Sequence, residues 1–117
     1  SSLEKLTRKV NKMKAKGMYV TADYVTVDID TALQRNLDRF KKTGRAVPIR
    51  YVVDNHKSIS EILPQAIDDG LFDELTLWDT NTATAVKVVQ FKDGVFEILE
   101  KEMWQTFLDK KNYRIKE

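Results

Sequence analysis

Apolar residues along the chain alternate between helical and strand spacing, and this pattern predicts elements in the order α-β-α-α-β-β-β-α. Leu3, Leu6, Val10 and Met13 recur at three- and four-residue intervals, forming one stripe of a helix whose other faces are basic. Gly17 follows, where a left-handed terminating residue belongs. Met18 to Val27 reads as a strand, because Tyr19, Val20, Tyr24, Val25, Thr26 and Val27 are β-branched or aromatic. Its nearly continuous apolar end predicts cover on both faces, as in a parallel sheet. A helix leading into such a strand is half of a βαβ unit whose first strand is expected outside this sequence. Asp30 or Thr31 is the expected cap of a second helix, with Leu33, Leu37 and Phe40 as its apolar stripe and Gly44 as its stop. Pro48 suits the first position of a third helix, in which Ile49, Val52, Val53, His56, Ile59 and Leu63 keep helical spacing. Pro64 is expected to break that helix, since it lacks an amide proton and its ring clashes with the preceding turn. A short helical piece then runs to Gly70.

Beyond Gly70, Glu74 to Trp78 is a compact strand entered through Leu71 and Phe72, and Asp79-Thr80-Asn81 reads as a polar loop. Val86 to Phe91 and Val95 to Leu99 flank Lys92-Asp93-Gly94. This is a hairpin signal, because Asp-Gly supplies the positive backbone angles of a tight turn. A last helix carries Met103, Trp104, Phe107 and Leu108 on one face. With 117 residues, 42% of them hydrophobic and 32% charged, the whole reads as a single α/β domain around one core.

Composition removes several classes of chemistry. With no cysteine, disulfides, thiolate metal sites and a catalytic thiol are excluded, and the cytoplasm is the expected location. No apolar run approaches the ~20 residues that span a bilayer, and the N-terminus has no apolar signal segment, so no membrane partner is expected. Gly17, Gly44, Gly70 and Gly94 include no pair with the spacing of a phosphate-cradling or dinucleotide loop. A single histidine rules out the common zinc sets, and no metal site is expected. That histidine, His56, lies on the apolar stripe of its helix and reads as a packed, hydrogen-bonded core residue rather than a catalytic base.

Net charge is only +2, yet residues 1–58 carry +7 and residues 59–117 carry −5. The basic half fits either an anionic partner or a solvated helix face with one basic site. Arg35 and Arg39 are four residues apart and share a helix face, with Lys41, Lys42, Arg45 and Arg50 nearby. Arg45 follows Gly44 on a turn that can point back toward the same space. Converging guanidinium groups suit phosphate oxygens, which they bind through paired, charge-assisted hydrogen bonds. The same residues also suit exposed cations pairing with Asp28, Asp30 and Asp38. Nucleic acid is a poor fit, because Tyr19, Tyr24 and Phe40 occupy strand or core positions instead of interleaving with the cations.

The run Arg35-Asn36-Leu37-Asp38-Arg39, followed by Thr43-Gly44-Arg45-Ala46-Val47-Pro48, resembles the lid region of zeta-toxin-type P-loop kinases. His56 within a helix, Leu63-Pro64, Gly70-Leu71-Phe72-Asp73-Glu74-Leu75 and Trp78-Asp79-Thr80-Asn81 extend the resemblance. It covers about Lys14 through Leu108 and corresponds to the C-terminal half of such a kinase. It implies a partial P-loop-kinase-like sheet with flanking helices and a C-terminal antiparallel β-hairpin, and lid-like helices over 30–69 of a single domain, 1–117. It also implies that Arg45, together with Arg35 or Arg39, contacts the transferred phosphate of ATP and stabilises transition-state charge in the intact kinase. Asp79, Thr80 and Asn81 would then lie near the adenine. ATP and Mg2+ are the cofactors implied for the intact kinase, UDP-N-acetylglucosamine is the family's example of an acceptor, and an antitoxin is the implied restraining partner.

Phosphoryl transfer of this kind needs a P-loop lysine, a Ser/Thr for magnesium and an acidic residue to orient the acceptor hydroxyl. The chain has no P-loop to supply the first two, and the family's acidic position lies upstream. Neither tight nucleotide binding nor turnover is therefore expected of this chain alone. Its expected partner is the missing N-terminal half, or a second copy paired through an exposed sheet edge. The alternative expectation is a non-enzymatic, kinase-derived binding or assembly module, with exposed apolar surface where further strands would pack.

Overall fold

A computed structural model describes residues 2–115. Helix α1 (Ser2–Ala15) turns its stripe inward, burying Val10 and packing Leu3, Leu6 and Met13 against the core. Strand β1 (Thr21–Thr26) leads into α2 (Ile29–Thr43) and α3 (Ile49–Asp68), and the chain returns through β2 (Glu74–Asp79). Strands β3 (Val86–Lys92) and β4 (Val95–Ile98) form the hairpin, and α4 (Lys101–Asp109) ends in a 3-10 turn over Lys110–Asn112. The four strands make one mixed sheet in the order β1-β2-β3-β4, with β1 and β2 parallel and the remaining pairs antiparallel. The molecule is thus an α/β protein in which α2 and α3 supply the crossover between two adjacent parallel strands.

Register decides which side chains face the helices. Ala22, Tyr24 and Thr26 lie opposite Leu75, Leu77 and Asp79, and this row faces the core. There it meets Leu63, Ala66 and Ile67 of α3, Val10 of α1 and Phe107 of α4. A register shift between Leu77 and Trp78 lets the adjacent residues Val88 and Val89 both become buried. The opposite face of the sheet carries Thr21, Asp23 and Val25, all exposed, beside Glu74, Thr76 and Trp78. Trp78 there donates Nε1–H to Asp23 Oδ1 (3.1 Å) and lies under Lys87 Nζ, 5.3 Å from the ring centroid.

Several expectations are corrected. The first strand is shorter than Met18–Val27 and is not covered on both faces; its burial alternates, because among the described residues no helix lies over the face that holds Thr21, Asp23 and Val25. Asp28, not Asp30 or Thr31, precedes α2 as its N-cap residue. Pro64 does not break α3, which runs unbroken to Asp68. Proline removes one backbone hydrogen bond, but Val53 and Leu63 before it and Ala66 and Ile67 after it bury into the same core and hold the axis together. Asp79 is the last residue of β2 rather than part of a loop, and it is buried. The hairpin turn uses Asp93 (φ 53°) and Gly94 (φ 77°), both in the left-handed region that a two-residue turn of this hand requires.

Candidate functional site

The carboxyl ends of the parallel strands, where open α/β sheets leave a crevice, are joined by a polar brace. Asn81 Oδ1 accepts the backbone N–H of Asp28 (2.9 Å), and Asn81 Nδ2 donates to Asp79 Oδ2 (2.9 Å) and Asp28 Oδ1 (3.4 Å). The backbone N–H of Asn81 donates to Asp79 Oδ1 (2.9 Å), and the backbone N–H of Thr80 donates to the Thr26 carbonyl (2.9 Å). Asp79, Thr80 and Asn81 are thereby gathered at the ends of β1 and β2, with most of their polar atoms engaged in holding those ends together.

A second group lies beneath the brace. Lys110 enters from the C-terminal turn and is buried, with its ammonium bonded to Thr26 Oγ1, the Val27 carbonyl (2.6 Å) and His56 Nδ1 (3.0 Å). Three acceptors for three N–H donors satisfy this buried cation. Burial pushes the Lys110 pKa down to about 8, and the carboxylates of Asp28 and Asp79 pull against that shift. His56, half-buried, is pushed down to about 4, first by burial and then by the charge of Lys110. Near neutral pH the imidazole is uncharged. An ammonium offers no acceptor, so Nδ1 accepts and the ring proton sits on Nε2. Nε2 has no hydrogen-bond partner among the described residues.

His56 also forms part of the wall of a cleft between α2 and α3, of about 240 Å³. Arg35 and Arg39 line it from α2, and Tyr51 and Asn55, again one turn apart, line it from α3. Arg35 Nη2 donates to the Thr80 carbonyl at 2.8 Å, tying the middle of α2 to the end of β2. The cleft is lined by residues that carry two guanidinium groups, a carboxamide, a phenol and a neutral imidazole, side chains of a kind that bind a multiply charged oxyanion.

Among the predicted arginines, Arg35 and Arg39 are brought together. Arg45 lies on the exposed linker between α2 and α3, its backbone N–H on Thr43 Oγ1 (3.2 Å), and does not line the cleft. His56 is hydrogen-bonded as expected of a packed histidine, although it is only half-buried. Lys110 was not legible as a site residue. Its one signal is position: it falls three residues after Phe107 and so continues the buried stripe of α4, with Nζ 5.5 Å from the Phe107 ring centroid. Comparison with protein-family models, with curated proteins and with solved structures finds no match for this chain.

Proposed function

We propose that this chain is the C-terminal, phosphate-handling part of a zeta-toxin-like kinase, a phosphotransferase that moves the γ-phosphate of ATP to a small-molecule hydroxyl. The observation that supports this reading best is the bond from Arg35 to the Thr80 carbonyl. Across 45 residues of sequence it joins the arginine helix to the loop after β2, at the carboxyl ends of two parallel strands. In this reading Arg35 and Arg39 neutralise phosphate oxygens, Arg45 reaches the transferred phosphoryl group from the linker between α2 and α3, and Asp79 to Asn81 border the base. Guanidinium groups placed where charge develops lower a phosphoryl-transfer barrier without forming any covalent bond.

The cleft suits the phosphates of ATP. Mg2+ in such kinases is held by one or two carboxylates together with the nucleotide phosphates, and among the described residues no larger group of three or more His, Asp or Glu side chains is placed to hold a metal ion. The P-loop lysine and the acceptor site are likewise not supplied by this sequence, so the chain alone carries no turnover. UDP-N-acetylglucosamine is the first acceptor to test in the intact kinase, where an antitoxin is the expected restraint.

Titration calorimetry of the purified chain with inorganic tripolyphosphate at low salt tests the reading. Weak, salt-sensitive binding is expected, reduced about tenfold by Arg35→Ala or Arg39→Ala, the effect of losing one charge-assisted contact. Binding that survives both substitutions would remove the proposal.

A second reading, a non-enzymatic, kinase-derived binding or assembly module, is favoured by the uncovered face of the sheet, where Val25 is 70% exposed beside Trp78. Polyphosphate binding in the α2–α3 cleft separates the two readings, since only the kinase reading requires it.

A further inference from the structure

The outward face of α1 is a row of cations. Lys5, Arg8, Lys9 and Lys12 recur at three- and four-residue intervals, which puts them on one face of the helix. All four are exposed, as is Lys16 just beyond the helix end. The opposite stripe is committed to the core through Val10, Leu3, Leu6 and Met13, so the direction of the basic face is fixed. At about 1.5 Å per residue, the stretch from Lys5 to Lys12 covers roughly 10 Å of axis. Among the described residues none of these cations makes an ion pair. Glu4, the one acid of α1, sits in its first turn. Lys14 belongs to another flank, where its Nζ donates to the Gly70 carbonyl (3.3 Å).

What stands between the cations selects among anionic partners. The other exposed positions of this stretch, Asn11 and Ala15, are small or polar, and Tyr19, also exposed, lies beyond Gly17 and outside the row. Protein interfaces are depleted of charge at their centre and built around aromatic or aliphatic anchors, which this face lacks. A helix that lies on a bilayer buries its apolar stripe in the lipid, and that of α1 is already in the core. Single-stranded nucleic acid is held by bases stacked on aromatic rings, and none interleaves with the row. The outside of a duplex, by contrast, is an array of phosphates, one charge per ~1.7 Å of axis, and asks only for cations. We propose that the outward face of α1 docks on the phosphate backbone of duplex nucleic acid and does so without reading sequence. No residue of α1 lines the α2–α3 cleft, so the proposal stands apart from the phosphotransferase reading.

Fluorescence anisotropy tests it with labelled duplexes of about 20 base pairs, one of DNA and one of RNA, titrated with the purified chain at several salt concentrations. Saturable binding to either duplex is expected, unchanged when the base sequence is scrambled. Its logarithm should fall against the logarithm of salt with a slope of about −3 to −5, the signature of four or five phosphates neutralised. Because the net charge of the chain is only +2, so steep a slope reports a local cluster and not the whole molecule. Lys5→Gln combined with Lys9→Gln and Lys12→Gln, all at exposed positions, should weaken binding about tenfold or more and flatten the slope by about 3. Lys41→Gln with Lys42→Gln, which removes charge from α2 instead, should leave affinity within about twofold, and circular dichroism should show both variants folded. Several results would each overturn the proposal: no saturable binding to either duplex, even where polyglutamate or phosphatidylserine vesicles bind; tighter binding to a single strand of the same length; or equal binding by the α1 variant. A loss in the α2 variant as large as that in the α1 variant would do so too.

Discussion

Lys110 and His56 set the electrostatics beneath the site. His56 is held near pKa 4 in the folded chain against 6.5 for an ordinary histidine. Between those values the unfolded chain binds more protons than the folded one, so stability rises with pH across the window. The contribution is complete above pH 6.5 and is lost as pH falls toward 4. A shift of this size corresponds to about 3 kcal/mol at full weight, and solvent screening of the half-buried ring brings it to roughly 1–2 kcal/mol. Thermal denaturation at intervals from pH 4 to 7 should therefore show a rising melting temperature. His56→Gln, which keeps an acceptor for Lys110, should flatten that rise; an unchanged slope would contradict the assignment. Lys110→Met leaves Thr26 Oγ1, the Val27 carbonyl and His56 Nδ1 without their donor. It should cost about 1–3 kcal/mol in urea denaturation and let the His56 pKa, read by NMR, climb toward its ordinary value. The sequence could not reveal this pair, because the bonds that make a buried lysine tolerable reach it from residues 54 to 84 positions away.

At the scale of elements, Asn36 pins α2 to the linker through both polar groups of the Val47 backbone. Asn36→Ala leaves both polar groups of the Val47 backbone without their partner. It should destabilise the chain by about 1–3 kcal/mol, with hydrogen exchange speeding up at the Val47 amide. Gly44 ends α2 at φ 72°, with its N–H on the Phe40 carbonyl (2.7 Å). Gly44→Ala should cost about 1 kcal/mol from strain in that left-handed conformation, read as a lower melting temperature. What the sequence disclosed of these elements follows from physics local to the chain. Asp93-Gly94 announces its turn because few residues tolerate positive φ, and the α4 stripe announces a helix with one buried face. The stripe of α2 is equally clear, but periodicity says only that Leu33, Leu37 and Phe40 share a face, not that anything covers it. Pro64 shows the converse: local chemistry predicts a break, and burial on both sides of the proline prevents it. Arg35 and Arg39 were legible as a pair because four residues make one helical turn. Their neighbours Tyr51, Asn55 and His56 were not, because that cleft exists only once α2 and α3 pack together.

For the whole molecule, helices on one face of a mixed sheet enclose the core, the other face stays uncovered, and among the described residues the edge of β1 pairs on one side only. Among the described residues no helix is long and apolar enough to cross a membrane. With ATP, magnesium and UDP-N-acetylglucosamine, the purified chain should release no phosphorylated sugar nucleotide, because nothing in its sequence supplies the P-loop. The α2–α3 cleft is the proposed phosphate site. At 13.6 kDa the chain is small enough for residue-by-residue NMR, and a titration with inorganic tripolyphosphate addresses the claim most directly. The shifts should concentrate on Arg35, Arg39, Tyr51, Asn55 and His56, and Arg35→Ala combined with Arg39→Ala should abolish them. Shifts confined to the lysines of α1, or no saturable shifts at all, would contradict it.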